Sequence, residues 1–105
     1  MMPTSSIRYT TFASFYPFYL SEHQNPTCRR LHFTGTFLTL FTLLAIAGTQ
    51  SWSRLWLLPV LGYGFAWAGH FFFEKNRPAT FQYPLYSLLG DLRMFYEILS
   101  GRRPF

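Results

Sequence analysis

The sequence predicts an all-α membrane protein, a small helical bundle in which a two-span hairpin is flanked by short interfacial and amphipathic helices. Three observations carry that expectation. Half of the 105 residues are hydrophobic and only 12% are charged, about half the charged share of an ordinary soluble domain. Aromatic residues make up 22% of the chain. A soluble core of this size cannot bury so many rings, because small domains leave much of their surface in water. Finally, residues 33–48 and 55–73 contain no Asp, Glu, Lys or Arg. A chain of this length is one domain at most, so residues 1–105 are read as one membrane-embedded domain with residues 1–10 polar and frayed.

Residues 11–22, TFASFYPFYLSE, read as a short aromatic helix bent near Pro17, whose ring removes a hydrogen-bond donor. Tyr and Phe suit the membrane interface. HQNP follows. Asn25 is a favourable N-cap and Pro26 a favourable first helical residue, so a helix should start there and run toward Gly48. Its uncharged part, 33–48, spans roughly 24 Å against a hydrocarbon thickness of about 30 Å. Thr34, Thr36, Thr39 and Thr42 can return their hydroxyls to the preceding turn. Residues 49–53 form a polar turn. Residues 55–73 span roughly 28 Å as helix, with Pro59 in the first turns, where proline is tolerated. The charged EKNR and Pro78 close that helix. Pro84 opens a last one, 85–100, amphipathic rather than spanning because Asp91, Arg93 and Glu97 interrupt it. Gly101 and Pro104 stop it.

The net charge of +5 arises from nine Lys and Arg against four Asp and Glu. The basic residues are scattered, without the stripe or arm that nucleic acid requires, and they suit a rim facing anionic lipid head groups. Arg8, Arg29 and Arg30 precede the hairpin, Lys75, Arg77, Arg93, Arg102 and Arg103 follow it, and Arg54 alone lies in its turn. That asymmetry puts both termini on the cytoplasmic side. The single cysteine, Cys28, excludes an internal disulfide and reads as a small helix-packing residue. Residues 12–20 lack the small-residue cleavage site of a secretory signal.

The chemistry rests on the three histidines. His70 lies near the end of an uncharged span, where an ionisable residue is a functional candidate by default. Counting by fours gives Gly62, Ala66, His70 and Glu74 on one helix face. Small residues there admit a neighbouring helix; a packing seam with a snorkelling Glu74 is the plainer reading. His23 and His32 are nine apart, on opposite faces of one continuous helix. The Asn25-Pro26 break puts His23 in a loop and His32 in the second turn of the next helix, so they can converge. Histidines with a carboxylate suit non-haem iron(II), and zinc accepts the same ligands. Arg77 could clamp a fatty-acid carboxylate, with the acyl chain among Phe71, Phe72 and Phe73, or serve as a positive-inside anchor. Asp91 and Arg93 could support the metal ligands from the last helix, but an exposed helix face is the plainer reading.

FYLSEHQNPTCRRLH together with GHFFFEKNRPA resembles the paired motifs of the iron(II)-dependent 2-hydroxy fatty acid dioxygenases, fungal phytosphingosine-breakdown enzymes with short bacterial relatives. The resemblance covers roughly residues 12–100. It implies His23, His32 and His70 as iron ligands, with Glu74 a ligand or a partner of one, and removal of one carbon from a long-chain 2-hydroxy acid by molecular oxygen. The chain departs from the fungal pattern in lacking a further histidine, Gln24 standing beside His23, and in having less sequence between the motifs. The implied partners are the hydroxy acid, oxygen and membrane lipid, with self-association left open. A non-catalytic lipid-binding membrane protein and a zinc-dependent lipid hydrolase are the competing readings. No Gly-rich nucleotide loop is present.

Overall fold

A computed structural model describes residues 8–105. It is all-helical, with no strand among the described residues: α1 Phe12–Ser21, α2 Pro26–Thr49, α3 Leu57–Ala68 and α4 Pro84–Leu99. A π-helical turn, Gly69–Glu74, continues α3, and short 3-10 turns lie at Trp52–Arg54 and Ala79–Phe81. The expected fraying of residues 1–10 falls mostly outside the described residues. Within them, Tyr9 stacks on Phe18 with ring centroids 5.2 Å apart.

Local chemistry sets the helix starts. Thr11 caps α1 by accepting from the Ser14 N–H at 3.1 Å. Asn25 caps α2, its side-chain oxygen accepting from Thr27 N–H at 2.8 Å and Cys28 N–H at 3.2 Å; Pro26, at the first helical position, has no N–H to satisfy. Pro59 is the third residue of α3, where no intrahelical acceptor is lost. At the other end α2 runs past Gly48 and stops at Gln50, which takes the left-handed conformation with φ 56°.

α2 is therefore longer than its uncharged stretch. Its 24 residues extend roughly 36 Å, enough for a bilayer core, because the turn holding Arg29 and Arg30 belongs to the same helix. Pro26–Thr49 and Trp52–Glu74 are both long and apolar enough to cross a membrane, with mean hydropathies of 1.6 and 1.2. Phe41, Leu44, Trp56, Val60 and Phe72 all point outward, each more than half exposed. An outward apolar surface of that kind suits lipid, not a soluble core.

The hairpin closes tightly at Gly35, where a Cβ would lie 2.8 Å from the Phe65 Cβ. Gly62 was expected to admit a neighbouring helix closely; a Cβ there would meet only Thr39 Oγ1 at an ordinary 3.5 Å. The close approach falls on Gly35 because Phe65 and the Leu61 carbonyl sit directly over it. Thr39 returns its hydroxyl to the Gly35 carbonyl at 2.7 Å, as the threonine pattern predicts. At the end of the hairpin that carries the termini, α1 and α4 pack through an aromatic core of Phe15, Tyr16, Tyr19, Tyr83 and Met94. Tyr16 donates to Glu97 at 2.5 Å, and Tyr19 donates to Asp91. Arg93 and Arg103 also pair with Glu97.

Candidate metal centre

α1 ends in a tight turn in which the His23 N–H donates to the Leu20 carbonyl at 3.0 Å. His23 thereby swings back under α1, its ring stacked on Tyr19 at 4.1 Å. Arg29 holds the loop by donating to the His23 and Gln24 carbonyls at 3.3 and 3.2 Å. His32 lies in the second turn of α2, and His70 is the second residue of the π-helical turn. All three histidines are buried, at 2%, 4% and 2% exposure.

Their Nδ1 atoms are all engaged. His23 Nδ1 lies 2.6 Å from the Tyr19 carbonyl, His32 Nδ1 2.9 Å from the Cys28 carbonyl, and His70 Nδ1 2.7 Å from Asn76 Oδ1. The Asn76 amide is oriented by its Nδ2, which donates to the Glu22 carbonyl at 3.2 Å. Every one of these partners is an acceptor, so each Nδ1 carries the proton and each neutral ring leaves a lone pair on Nε2. His23 Nε2 and His32 Nε2 face each other at 3.1 Å. Two lone pairs at that separation repel unless a positive charge lies between them. Burial first, and then His32 and His70, hold His23 well below its usual pKa, so a proton is a poor candidate for that charge.

The three rings stand nearly perpendicular to one another, with interplanar angles of 86°, 77° and 88°. Ligand atoms of His23, Cys28, His32 and His70 all lie within 4.8 Å of one another and could hold a metal ion. The donor chemistry fits: neutral imidazoles, each oriented by an acceptor on its other nitrogen, are the usual metal-ligand arrangement. Cys28 Sγ lies 3.7 Å from His32 Nδ1, the nitrogen already committed to the Cys28 carbonyl. The same thiol packs against Gly69, where a Cβ would approach it to 2.9 Å. Helix packing is thus visible for Cys28, alongside its place among the four candidate ligands.

Glu74 takes another place. Its Oε1 accepts the Asn25 N–H, so it ties the end of the second motif to the cap of α2. The four-residue count that joined it to His70 assumes α-helical turns. The π-helical turn, in which each bond spans five residues, interrupts that α-helical count. Lys75 then takes the left-handed conformation at φ 59°, and the reversed chain brings Asn76 beneath His70. Asn76 was not singled out in the sequence, because nothing local marks that reversal. Replacing it by Ala should weaken metal binding by about 10- to 100-fold while leaving the fold intact; competition with a chelator of known affinity measures this, and an unchanged affinity would detach Asn76 from the site.

Asp91 also differs from its exposed-face reading. It accepts from Tyr19 and, with the three histidines, lines a small chamber of about 10 Å³, about one water in size. Burial pushes its carboxyl up to about 7, against the Tyr19 hydrogen bond that lowers it. Arg93 is exposed as expected, its side chain 51% accessible. Arg77 lines neither the chamber nor the larger cavity beside it. Its guanidinium lies over the Phe81 ring at 4.9 Å, in a surface cavity with Phe18 and Glu22.

Fold and site together define a helical protein with a buried histidine cluster able to hold a metal, on two helices able to cross a membrane. The chain belongs to the family described as 2-hydroxy-palmitic acid dioxygenase Mpo1-like, which matches residues 9–103. No curated protein and no solved structure matches it significantly.

Proposed function

We propose that this chain is an iron(II)-dependent dioxygenase that removes one carbon from long-chain 2-hydroxy fatty acids at a membrane surface, with His23, His32 and His70 as the metal ligands. The observation that carries this reading is the convergence of three proton-free imidazole nitrogens in a buried cluster, in a chain of the Mpo1-like family. Three neutral ligands leave coordination positions for substrate and oxygen. When bound, iron(II) supplies a redox centre for dioxygen and a Lewis acid for the hydroxy acid. Conversion of a 2-hydroxy acid and O2 to the next shorter acid, carbon dioxide and water balances at four electrons, so no further reductant is required.

The protein's own part is orientation and exclusion of water. Tyr19, Cys28 and Asn76 fix the tautomer and direction of the three rings. Glu74 holds the loop of the first motif against the second rather than ligating. Cys28 serves as a packing residue. The histidine end of the hairpin carries both termini and most of the positive charge, so the site sits at the cytoplasmic face of a multi-pass protein. Arg77 is its anchor there. Arg77→Lys should keep turnover within about twofold, since the stacking lost on Phe81 is worth only about 0.5–1 kcal/mol at an exposed site; a tenfold loss at matched iron loading would return Arg77 to the substrate.

The deciding experiment is oxygen uptake with 2-hydroxypalmitic acid, using protein purified without oxygen and loaded with iron(II). Uptake matched by the acid one carbon shorter is the expected result. Full iron occupancy with no uptake would overturn the reading.

A further inference from the structure

Two buried donors beside the histidines have nothing to bond. Ser87 is 3% exposed, and its hydroxyl has no partner; the indole N–H of Trp67 is likewise buried and unpaired. Both residues line the histidine chamber. Ser87 does not use the usual escape of a helical serine, a bond back to the preceding turn. Native proteins rarely leave buried donors orphaned unless a ligand or water meets them.

The chamber adjoins a larger cavity of about 230 Å³ between α2, α3 and α4, the two sharing His32, Ala66, Thr80 and Asp91 in their linings. The larger cavity explains the small-residue face of α3. Ala66 and Gly62 do not seat a neighbouring helix; with Leu58 they form one wall of this slot. The wall from residue 58 to residue 66 is roughly 12 Å long. An extended carbon chain advances roughly 1.3 Å per 1.5 Å bond, so this length takes about nine carbons. The slot opens beside Leu88 and Leu92 of α4, which are 52% and 40% exposed, so a longer chain would run on into lipid.

We propose that a long-chain 2-hydroxy acid binds with its chain along Ala66, Gly62 and Leu58 and its head at the chamber, which is about one water in size as it stands and widens to bring the carboxylate onto the Ser87 hydroxyl and the Trp67 indole N–H. The inference rests on the hydroxy-acid reading above and names the residues that recognise that substrate. Two unpaired donors call for a ligand rich in acceptors, which a carboxylate is and a hydrocarbon tail is not. Asp91, the acceptor in the same chamber, faces the 2-hydroxyl, a donor that an ordinary fatty acid lacks. The occupant is thus a hydroxy acid rather than a stray lipid tail.

The test uses 2-hydroxypalmitic acid carrying a photoreactive diazirine at mid-chain, with the full-length protein in lipid nanodiscs. Labelling should fall on α3 within residues 58–66 and on the facing part of α2. Gly62→Leu, which fills the slot, should reduce labelling at least tenfold. Val60→Leu, on the lipid-facing side of the same helix, should not. For the head, unlabelled 2-hydroxypalmitic acid is titrated as competitor. Ser87→Ala and Trp67→Phe should each raise its half-effective concentration about tenfold, through loss of a hydrogen bond to a charged group. Hexadecane-1,2-diol, which keeps the chain and hydroxyl but has no carboxylate, should compete equally against wild type and both variants. Ser87→Ala should melt no lower than wild type, since it removes only an unpaired buried hydroxyl. Labelling confined to outward faces, or unchanged competition in both head variants, would overturn the proposal. Labelling needs no turnover. A slot that labels as described in a protein that consumes no oxygen would therefore sink the dioxygenase reading and leave the binding mode standing.

Discussion

Alanine in place of His70 should empty the metal site. Wild-type protein is expected to hold close to one metal ion per chain, and His70→Ala, His23→Ala or His32→Ala to hold less than about a tenth of that after dialysis. The effect is large because the ligand set is minimal. The three Nε2 donors come from a loop, a helix and a π-helical turn, and neither Glu74 nor Asp91 belongs to the cluster of candidate ligands: Glu74 accepts the Asn25 N–H, and Asp91 accepts from Tyr19. Removing one imidazole leaves two imidazoles and the Cys28 thiol, which packs against Gly69, too few to hold a first-row divalent ion against a chelator. The fold should survive in His23→Ala and His32→Ala, because deleting either ring also relieves the repulsion between their facing lone pairs in the metal-free protein. Elemental analysis with a helicity measurement in detergent distinguishes loss of metal from loss of structure. A triple variant that keeps full occupancy would place the metal elsewhere.

The second large effect is expected far from any ligand in sequence. Gly90 faces Tyr19 so closely that a Cβ would lie 2.8, 2.9 and 3.0 Å from three atoms of its ring. That ring cannot yield. It is 1% exposed, stacked on His23 at 4.1 Å and tied through its hydroxyl to Asp91. Gly90→Ala must therefore push α4 away from α1 or displace Tyr19. Overpacking of this kind costs about 1–3 kcal/mol. Because the Tyr19 carbonyl holds the His23 Nδ1, the displacement carries into the metal site, and affinity should fall about 10- to 100-fold. Gly64, whose Cβ would meet nothing within 4 Å, is the control, and Gly64→Ala should leave affinity unchanged. Thermal melting with metal titration checks both. Normal affinity in Gly90→Ala would show that α1 reaches His23 by some other constraint.

The legible features of this protein are those written in neighbouring residues. Asn25 with Pro26, and Pro84 at the start of α4, marked helix starts because a cap needs only the next three residues. Charge-free stretches marked the hairpin, and the Asn25-Pro26 break already separated His23 from His32 so that the two could meet. Other features escaped for equally local reasons. Gly48 looked like a stop, yet α2 ends at Gln50, because nothing packs over Gly48 to require a turn there. The face that joined Gly62, Ala66, His70 and Glu74 depended on a uniform helical period, which the π-helical turn at Gly69–Glu74 interrupts.

By itself, then, the sequence determined an all-helical chain, two helices apolar enough for a membrane, and three histidines placed at breaks from which they can converge. These follow from periodicity, capping and composition, which act over a few residues. Only the tertiary structure decided that Asn76 hydrogen-bonds His70 while Glu74 accepts the Asn25 N–H, that Asp91 on α4 faces inward to Tyr19, and that the small residues of α3 also line a cavity. The first two outcomes are set by contacts between segments 54 and 72 residues apart, Asn76 with Glu22 and Asp91 with Tyr19, and the third by the docking of α2, α3 and α4. Such contacts are fixed by how the helices dock, and no residue-by-residue preference encodes them.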